Sequence, residues 1–70
     1  MDSMLAKNIQ DVKEAYKTWI EAVEKFAKKP TPASQKKIRY YVLDLNAKKV
    51  RLTQRINDYR FIGGKYEKDQ

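Results

Sequence analysis

Apolar residues recur along the first thirty positions at spacings of four and three residues, with no skipped position. This is the heptad pattern of a helix with one apolar seam. The opposite face is rich in Lys and Glu, including the favourably ordered pair Glu21 and Lys25. Asp2 or Ser3 can cap the first turn. The pattern predicts an amphipathic helix whose seam is Leu5, Ile9, Val12, Tyr16, Trp19, Val23 and Phe26.

A proline-bounded break separates this seam from a second one. Pro30 disfavours helix at the preceding residue, whereas Thr31 followed by Pro32 is a good N-cap with proline at the first helical position. Gly63 suits the position just after a helix. We therefore expect helix 1 over about residues 3–29, helix 2 over about residues 32–62, and a flexible tail over residues 65–70. The second seam is Ile38, Val42, Leu45, Lys49, Leu52, Ile56 and Tyr59.

The two seams are equal in length, and folding the chain at the prolines brings them together antiparallel. Phe26 then falls near Ile38, and Trp19 falls near Leu45. The fold class predicted for residues 1–70 is therefore all-α, a single antiparallel two-helix hairpin. A chain of 70 residues buries a modest core and needs a disulfide, a metal or a partner subunit for stability.

Helix 2 also carries apolar residues on the face opposite its seam, whereas a face exposed to solvent would carry mainly polar residues. Burying four of the large ones contributes roughly 6–10 kcal/mol gross, against an association cost of ~4–15 kcal/mol. In a two-fold dimer each residue counts twice, so a homodimeric four-helix bundle is the favoured interpretation. A monomer with an apolar surface and an interface with a different protein are the alternatives. The predicted interface is Tyr40, Leu43, Ala47, Val50, Gln54 and Phe61, with Asn57 on the same line.

In plan, the expected dimer resembles the Rop-type plasmid RNA-binding proteins, which are homodimers of helical hairpins. The resemblance is one of architecture, without a shared sequence motif, so it assigns no functional residue. Phage and plasmid accessory proteins also include many short, lysine-rich, cysteine-free helical chains, so a protein of that type fits the composition.

Sixteen Lys and Arg against nine Asp and Glu give a formal charge of +7. Residues 32–62 hold eight of the basic and two of the acidic residues, a net charge of +6. Such an excess favours acidic partners. Lys49 interrupts the second seam next to the expected position of Tyr16. Its aliphatic stem can pack on the Tyr16 ring while the ammonium group reaches solvent. Alternatively, the ammonium group can bind an anion of a partner. The candidate contacts for an anion or nucleic acid are Arg39, Lys48, Lys49, Arg51 and Arg55.

The absence of two residue types excludes most catalytic and metal-binding sites. Without cysteine or histidine there is no thiol nucleophile, no imidazole base and no thiolate or imidazole metal ligand. The acidic pairs spaced i, i+3 in helix 1 are typical of surface ion pairs. We therefore predict no enzyme activity, no metal, no cofactor and no small-molecule substrate. The lack of a long apolar run and of a signal-peptide pattern predicts a cytoplasmic protein with no membrane partner.

These observations lead to one functional hypothesis and one alternative. The first is a homodimeric helical regulator or inhibitor that binds and blocks an acidic protein target. The alternative is a helical-bundle regulator that binds RNA or DNA through the basic flank of helix 2.

Overall fold

The computed structural model describes residues 2–68, which form two long helices packed against each other and a short β-hairpin. The elements are α1 (Ser3–Lys28), α2 (Pro32–Asn57), β1 (Tyr59–Ile62) and β2 (Lys65–Lys68). The predicted two-helix hairpin is thus confirmed, whereas the expectation of an all-α chain is wrong at its C-terminal end. The molecule is a rod of 54 × 17 × 16 Å.

Local side chains define the first turn of each helix. The Asp2 carboxylate accepts a hydrogen bond from the backbone N–H of Met4 at 2.9 Å and so caps α1. At the start of α2, the Thr31 hydroxyl accepts from the backbone N–H of Ser34 at 3.1 Å, and the Ser34 hydroxyl accepts from the backbone N–H of Thr31 at 3.2 Å. This reciprocal capping box satisfies two N–H groups that a helix leaves without partners. The proline-bounded turn therefore separates the helices as predicted.

The second helix ends at Asn57, five residues before the predicted boundary. The next residues, Tyr59 to Ile62, are aromatic or β-branched except for Arg60, and they pair antiparallel with Lys65–Lys68. The prediction that Gly63 ends a helix is wrong, because Gly63 and Gly64 form the two-residue turn of the β-hairpin with φ of 60° and 85°. A turn with positive φ at both positions matches the twist of the flanking strands and favours glycine. Residues 65–68 of the predicted tail form β2, and residues 69 and 70 lie outside the described part.

Asp2 connects the β-hairpin to the start of α1. The Tyr59 hydroxyl donates to Asp2 Oδ2 at 3.1 Å, and Lys68 Nζ lies 3.0 Å from the same oxygen. The hydrogen bond from Lys68, followed by that from the Met4 amide, lowers the pKa of Asp2 from 3.8 to about 2. Burial, together with the hydrogen bond to Asp2, raises the pKa of Tyr59 above its ordinary value. The carboxylate form of Asp2 therefore stabilises this junction.

The core between the helices is small. Among the described residues, only Ala15 and Leu45 are buried, at 5% and 6% exposure. Both predicted seams are rotated, because Tyr16 and Ile56 belong to them and yet are more than half exposed. Ala15 replaces Tyr16 at the centre of the contact since a small side chain allows two helices to approach closely. The rotation leaves Tyr16 on the side of the hairpin, whereas the other members of the α1 seam are partly buried.

Candidate protein-interaction site

The outward face of α2 is an open apolar surface. Leu43 is 66% exposed, and both Tyr40 and Val50 are also more than half exposed. Ala47 and Gln54 are exposed on the same line of the helix. Leu43 and Leu45 differ by two residues, about 200° around the helix, so Leu43 faces away from α1 while Leu45 is buried against it. We call the surface formed by Tyr40, Leu43, Ala47, Val50 and Gln54 the outer stripe.

Phe61 does not belong to the outer stripe. The prediction placed it at the end of helix 2, but the helix has ended and Phe61 lies in β1. Its ring packs edge-to-face against Tyr66 of β2, with the ring centres 5.1 Å apart and an interplanar angle of 77°. Cross-strand aromatic pairs of this kind stabilise a hairpin. Because Phe61 lies in a strand and not in α2, it does not continue the helical face that contains Val50 and Gln54.

A second apolar surface lies between the helices. It is an open groove with a volume of about 510 Å³. Tyr16 and Trp19 stand on the α1 wall with ring centres 5.9 Å apart, and Leu45 belongs to its lining. The Trp19 indole N–H is buried and has no acceptor among residues 2–68. We call this surface the apolar groove, and its lining residues are Val12, Lys13, Tyr16, Trp19, Val42, Leu45, Asn46 and Lys49.

The charge at the apolar groove is entirely positive. Lys13 and Lys49 line opposite helical walls, and no carboxylate lines the groove. Neither lysine makes an ion pair within the described part of the chain. Lys49 shares the groove with Tyr16, so the sequence-predicted cation lies at an apolar surface rather than beside the other candidate anion contacts.

The opposite side of the hairpin is polar. Lys48 precedes Lys49 within α2 and lies about 100° away from it around the helix. Its Nζ forms an ion pair with Asp44 Oδ2 at 2.9 Å. Further along this side, Arg51 and Arg55 meet Lys7 of α1 around a polar cleft of about 490 Å³. We call it the polar cleft, and its lining residues are Met4, Lys7, Asn8, Asp11, Arg51, Gln54, Arg55 and Asp58.

The structure does not bring the predicted anion contacts together in one place. Arg51 and Arg55 lie together in the polar cleft, where Arg55 Nε is buried and has no hydrogen-bond partner among the described residues. Arg39 instead lies beside Pro32 and Lys36 near the start of α2. Twelve residues separate Arg39 from Arg51, which is about 18 Å along a helix. The five cations therefore do not form one continuous surface.

Helix 1 supplies functional candidates that the sequence reasoning missed. Lys7 completes the polar cleft, and Lys13 completes the apolar groove. The available signal was the small residues Ala15 and Ala22, which stand seven positions apart and are buried and partly buried, respectively. Taking the line through these two residues as the centre of the interface would have moved Tyr16 and its neighbours to the groove.

Two searches of the described residues and three comparisons give negative results. Neither helix contains a stretch that is both long and apolar enough to cross a membrane. Residues 2–68 contain no group of three or more carboxylates placed to hold a metal ion. Comparison of the chain with protein-family models, curated proteins and solved structures found no match.

Proposed function

We propose that this chain is a non-enzymatic cytoplasmic interaction protein that acts as a homodimer, two hairpins forming a four-helix bundle, and that binds and blocks an acidic protein target. The observation that supports it best is the exposed outer stripe. Its apolar members recur at spacings of three and four residues on the face of α2 that points away from α1. A stripe of this kind on a charged helix is typical of an interface.

The outer stripe has the symmetry that an antiparallel pairing of two α2 helices requires. With Ala47 at the two-fold axis, Leu43 lies opposite Val50 of the second copy, and Tyr40 lies opposite Gln54. The small side chain at the axis allows the helices to approach closely. The same arrangement places Arg51 near Asp44 of the second copy, so an ion pair between the copies accompanies the apolar contact.

Light scattering coupled to size exclusion tests the dimer. We expect the wild-type mass to be that of two chains, and the variant Val50→Glu to give the mass of one chain, because a carboxylate would lie in the apolar contact. Lys17→Gln is the matched control, since it changes the net charge by the same amount on the exposed outer face of α1. A folded wild-type monomer would contradict the homodimer.

A charge-swap series tests the pairing itself. Asp44→Arg and Arg51→Asp should each weaken the dimer several-fold, because each single change sets like charges opposite one another across the two-fold axis. The double variant should recover much of the lost affinity, since it restores opposite charges. Sedimentation equilibrium measures the three dissociation constants. Additive losses in the double variant would exclude an antiparallel contact centred on Ala47.

Binding of nucleic acid is the second candidate function, and the polar cleft favours it. Lys7, Arg51 and Arg55 converge there without an ion pair among the described residues. Phosphate contacts by these cations would give a binding constant that falls steeply with salt. The test titrates a duplex RNA and a single-stranded oligonucleotide at several salt concentrations. Replacing Arg51 and Arg55 by Gln should reduce the slope by about 1.4–1.8; an unchanged slope would exclude this site.

A further inference from the structure

We propose that the apolar groove binds an amphipathic helix of another protein, one whose apolar stripe is flanked by carboxylates. This inference rests on the proposed function, in which the target is an acidic protein, and it names the site and the kind of segment that the site recognises. The outer stripe remains the surface through which two copies of the chain pair. The two surfaces occupy different faces of the hairpin, so both can be covered at once.

The total surface area of the hairpin is larger than that of a compact monomer of the same mass. The chain exposes 5815 Å². A compact monomer of 8.3 kDa exposes about 4,600 Å². The excess is on the order of 1,200 Å², which is more than the ~800 Å² that one partner contributes to an interface of standard size. The elongated shape of the hairpin contributes to this excess, and Tyr16 of the apolar groove is among the large apolar side chains that remain more than half exposed.

The shape of the groove suits a helix. Its walls are the central turns of α1 and α2, and its floor includes the buried side chain of Leu45. Residues 12 to 19 cover about 10 Å of helix axis, enough for two turns of a third helix lying along the groove. Tyr16, which is half exposed, and Trp19 offer the large rigid anchors that helix-in-groove interfaces use.

The positive charge of the groove favours an acidic partner over a second copy of the chain. A second copy placed on this groove by a two-fold axis would bring four ammonium groups, two Lys13 and two Lys49, to one seam without a lining carboxylate. Like charges at a contact disfavour association. A helix with glutamates beside its apolar stripe would place a carboxylate near each lysine while its apolar residues cover Tyr16 and Trp19. The occupant is therefore an acidic helix.

Synthetic peptides provide the probe. The test peptide is a 21-residue helix with leucine at the a and d heptad positions and glutamate at the e and g positions. A second peptide has lysine in place of each glutamate, and a third has the composition of the first in scrambled order. Trp19 is the single tryptophan of the chain and stands on the groove wall, so peptides without tryptophan allow its emission to report occupancy. We expect the glutamate peptide alone to bind and to shift the Trp19 emission to shorter wavelength.

Charge reversals in the groove show where the peptide lies. Lys13→Glu and Lys49→Glu should each weaken the binding of the glutamate peptide at least about fivefold, because each replaces an attraction by a repulsion. Lys17→Glu is the control with the same change of charge outside the groove, and its affinity should equal that of wild type. Val50→Glu should also bind the peptide normally, because the outer stripe is a separate surface.

Several results would overturn the inference. Equal binding of the lysine peptide, or an unchanged affinity of Lys49→Glu, would remove the electrostatic argument. An emission shift that grows with protein concentration in the absence of peptide, and that Tyr16→Glu abolishes, would assign the groove to a second copy. The proposed homodimer fails separately: a monomeric wild type that still binds the peptide contradicts the dimer alone, whereas a dimer that does not bind it contradicts the groove alone.

Discussion

Two leucines separated by one residue on α2 allow a matched test of how the hairpin is held together. Leu45 is one of the two buried side chains among residues 2–68, whereas Leu43 is two-thirds exposed on the outer stripe. The substitutions Leu45→Ala and Leu43→Ala remove the same atoms from the same helix. Any difference in their effect therefore comes from the surroundings of the side chain.

The expected magnitudes differ severalfold. Leu→Ala at a buried site costs about 2–5 kcal/mol, and we expect about 3 kcal/mol for Leu45 because the surrounding core is small and can partly collapse. At Leu43 roughly one-third of the side chain is shielded, and alanine is the better helix former, so we expect less than about 0.5 kcal/mol in the isolated hairpin. In the proposed dimer, Leu43→Ala should additionally weaken association.

Urea unfolding followed by circular dichroism at two protein concentrations distinguishes these effects. The lower concentration is one at which light scattering gives the mass of a single chain. There, Leu45→Ala should lower the unfolding midpoint strongly, while Leu43→Ala should leave it nearly unchanged. At the higher concentration, Leu43→Ala should lose the stabilisation that dimerisation supplies. Equal destabilisation by both variants at the lower concentration would show that the faces of α2 are assigned wrongly.

Three further predictions concern the local contacts that shape the chain. Because the pKa of Asp2 is lowered from 3.8 to about 2, its attraction to Lys68 is fully present above about pH 4 and is lost as the pH falls through 2. NMR titration should show the β-hairpin detaching over that interval, and Asp2→Asn should remove this transition. Gly64→Ala should destabilise the β-hairpin by ~1–2 kcal/mol, because φ is positive at this position. Gly63→Asn is the control that should be tolerated. Loss of helical ellipticity in Gly64→Ala would contradict a local effect. Thr31→Ala should lower the free energy of unfolding by about 1 kcal/mol in urea titration, whereas Thr31→Ser should not.

Much of the helical hairpin could be predicted because its signals are local. The Thr31 cap, the adjacent prolines and the apolar period of α1 act within one or two turns, so they are visible in a short stretch of sequence. The same is true of the exposure of Leu43 and Val50, since their phase opposite Leu45 depends only on the pitch of the helix. The β-hairpin was missed because a glycine pair is compatible with both a helix end and a two-residue turn. The alternation of aromatic and charged residues from Tyr59 onward favours the turn.

The sequence by itself determined the two helices up to Asn57, the place where the chain reverses, and the exposure of Tyr40, Leu43 and Val50 on α2. Only the tertiary structure decided how each helix is rotated about its axis. The heptad pattern is compatible with either Ala15 or Tyr16 at the centre of the contact, and the choice depends on which residue lets the partner helix approach. That rotation buries Ala15 and Leu45, leaves Tyr16 at the surface, and separates Lys49 from Arg51 and Arg55. The apolar groove follows from the packing of two helices, which the periodicity of a single helix does not specify.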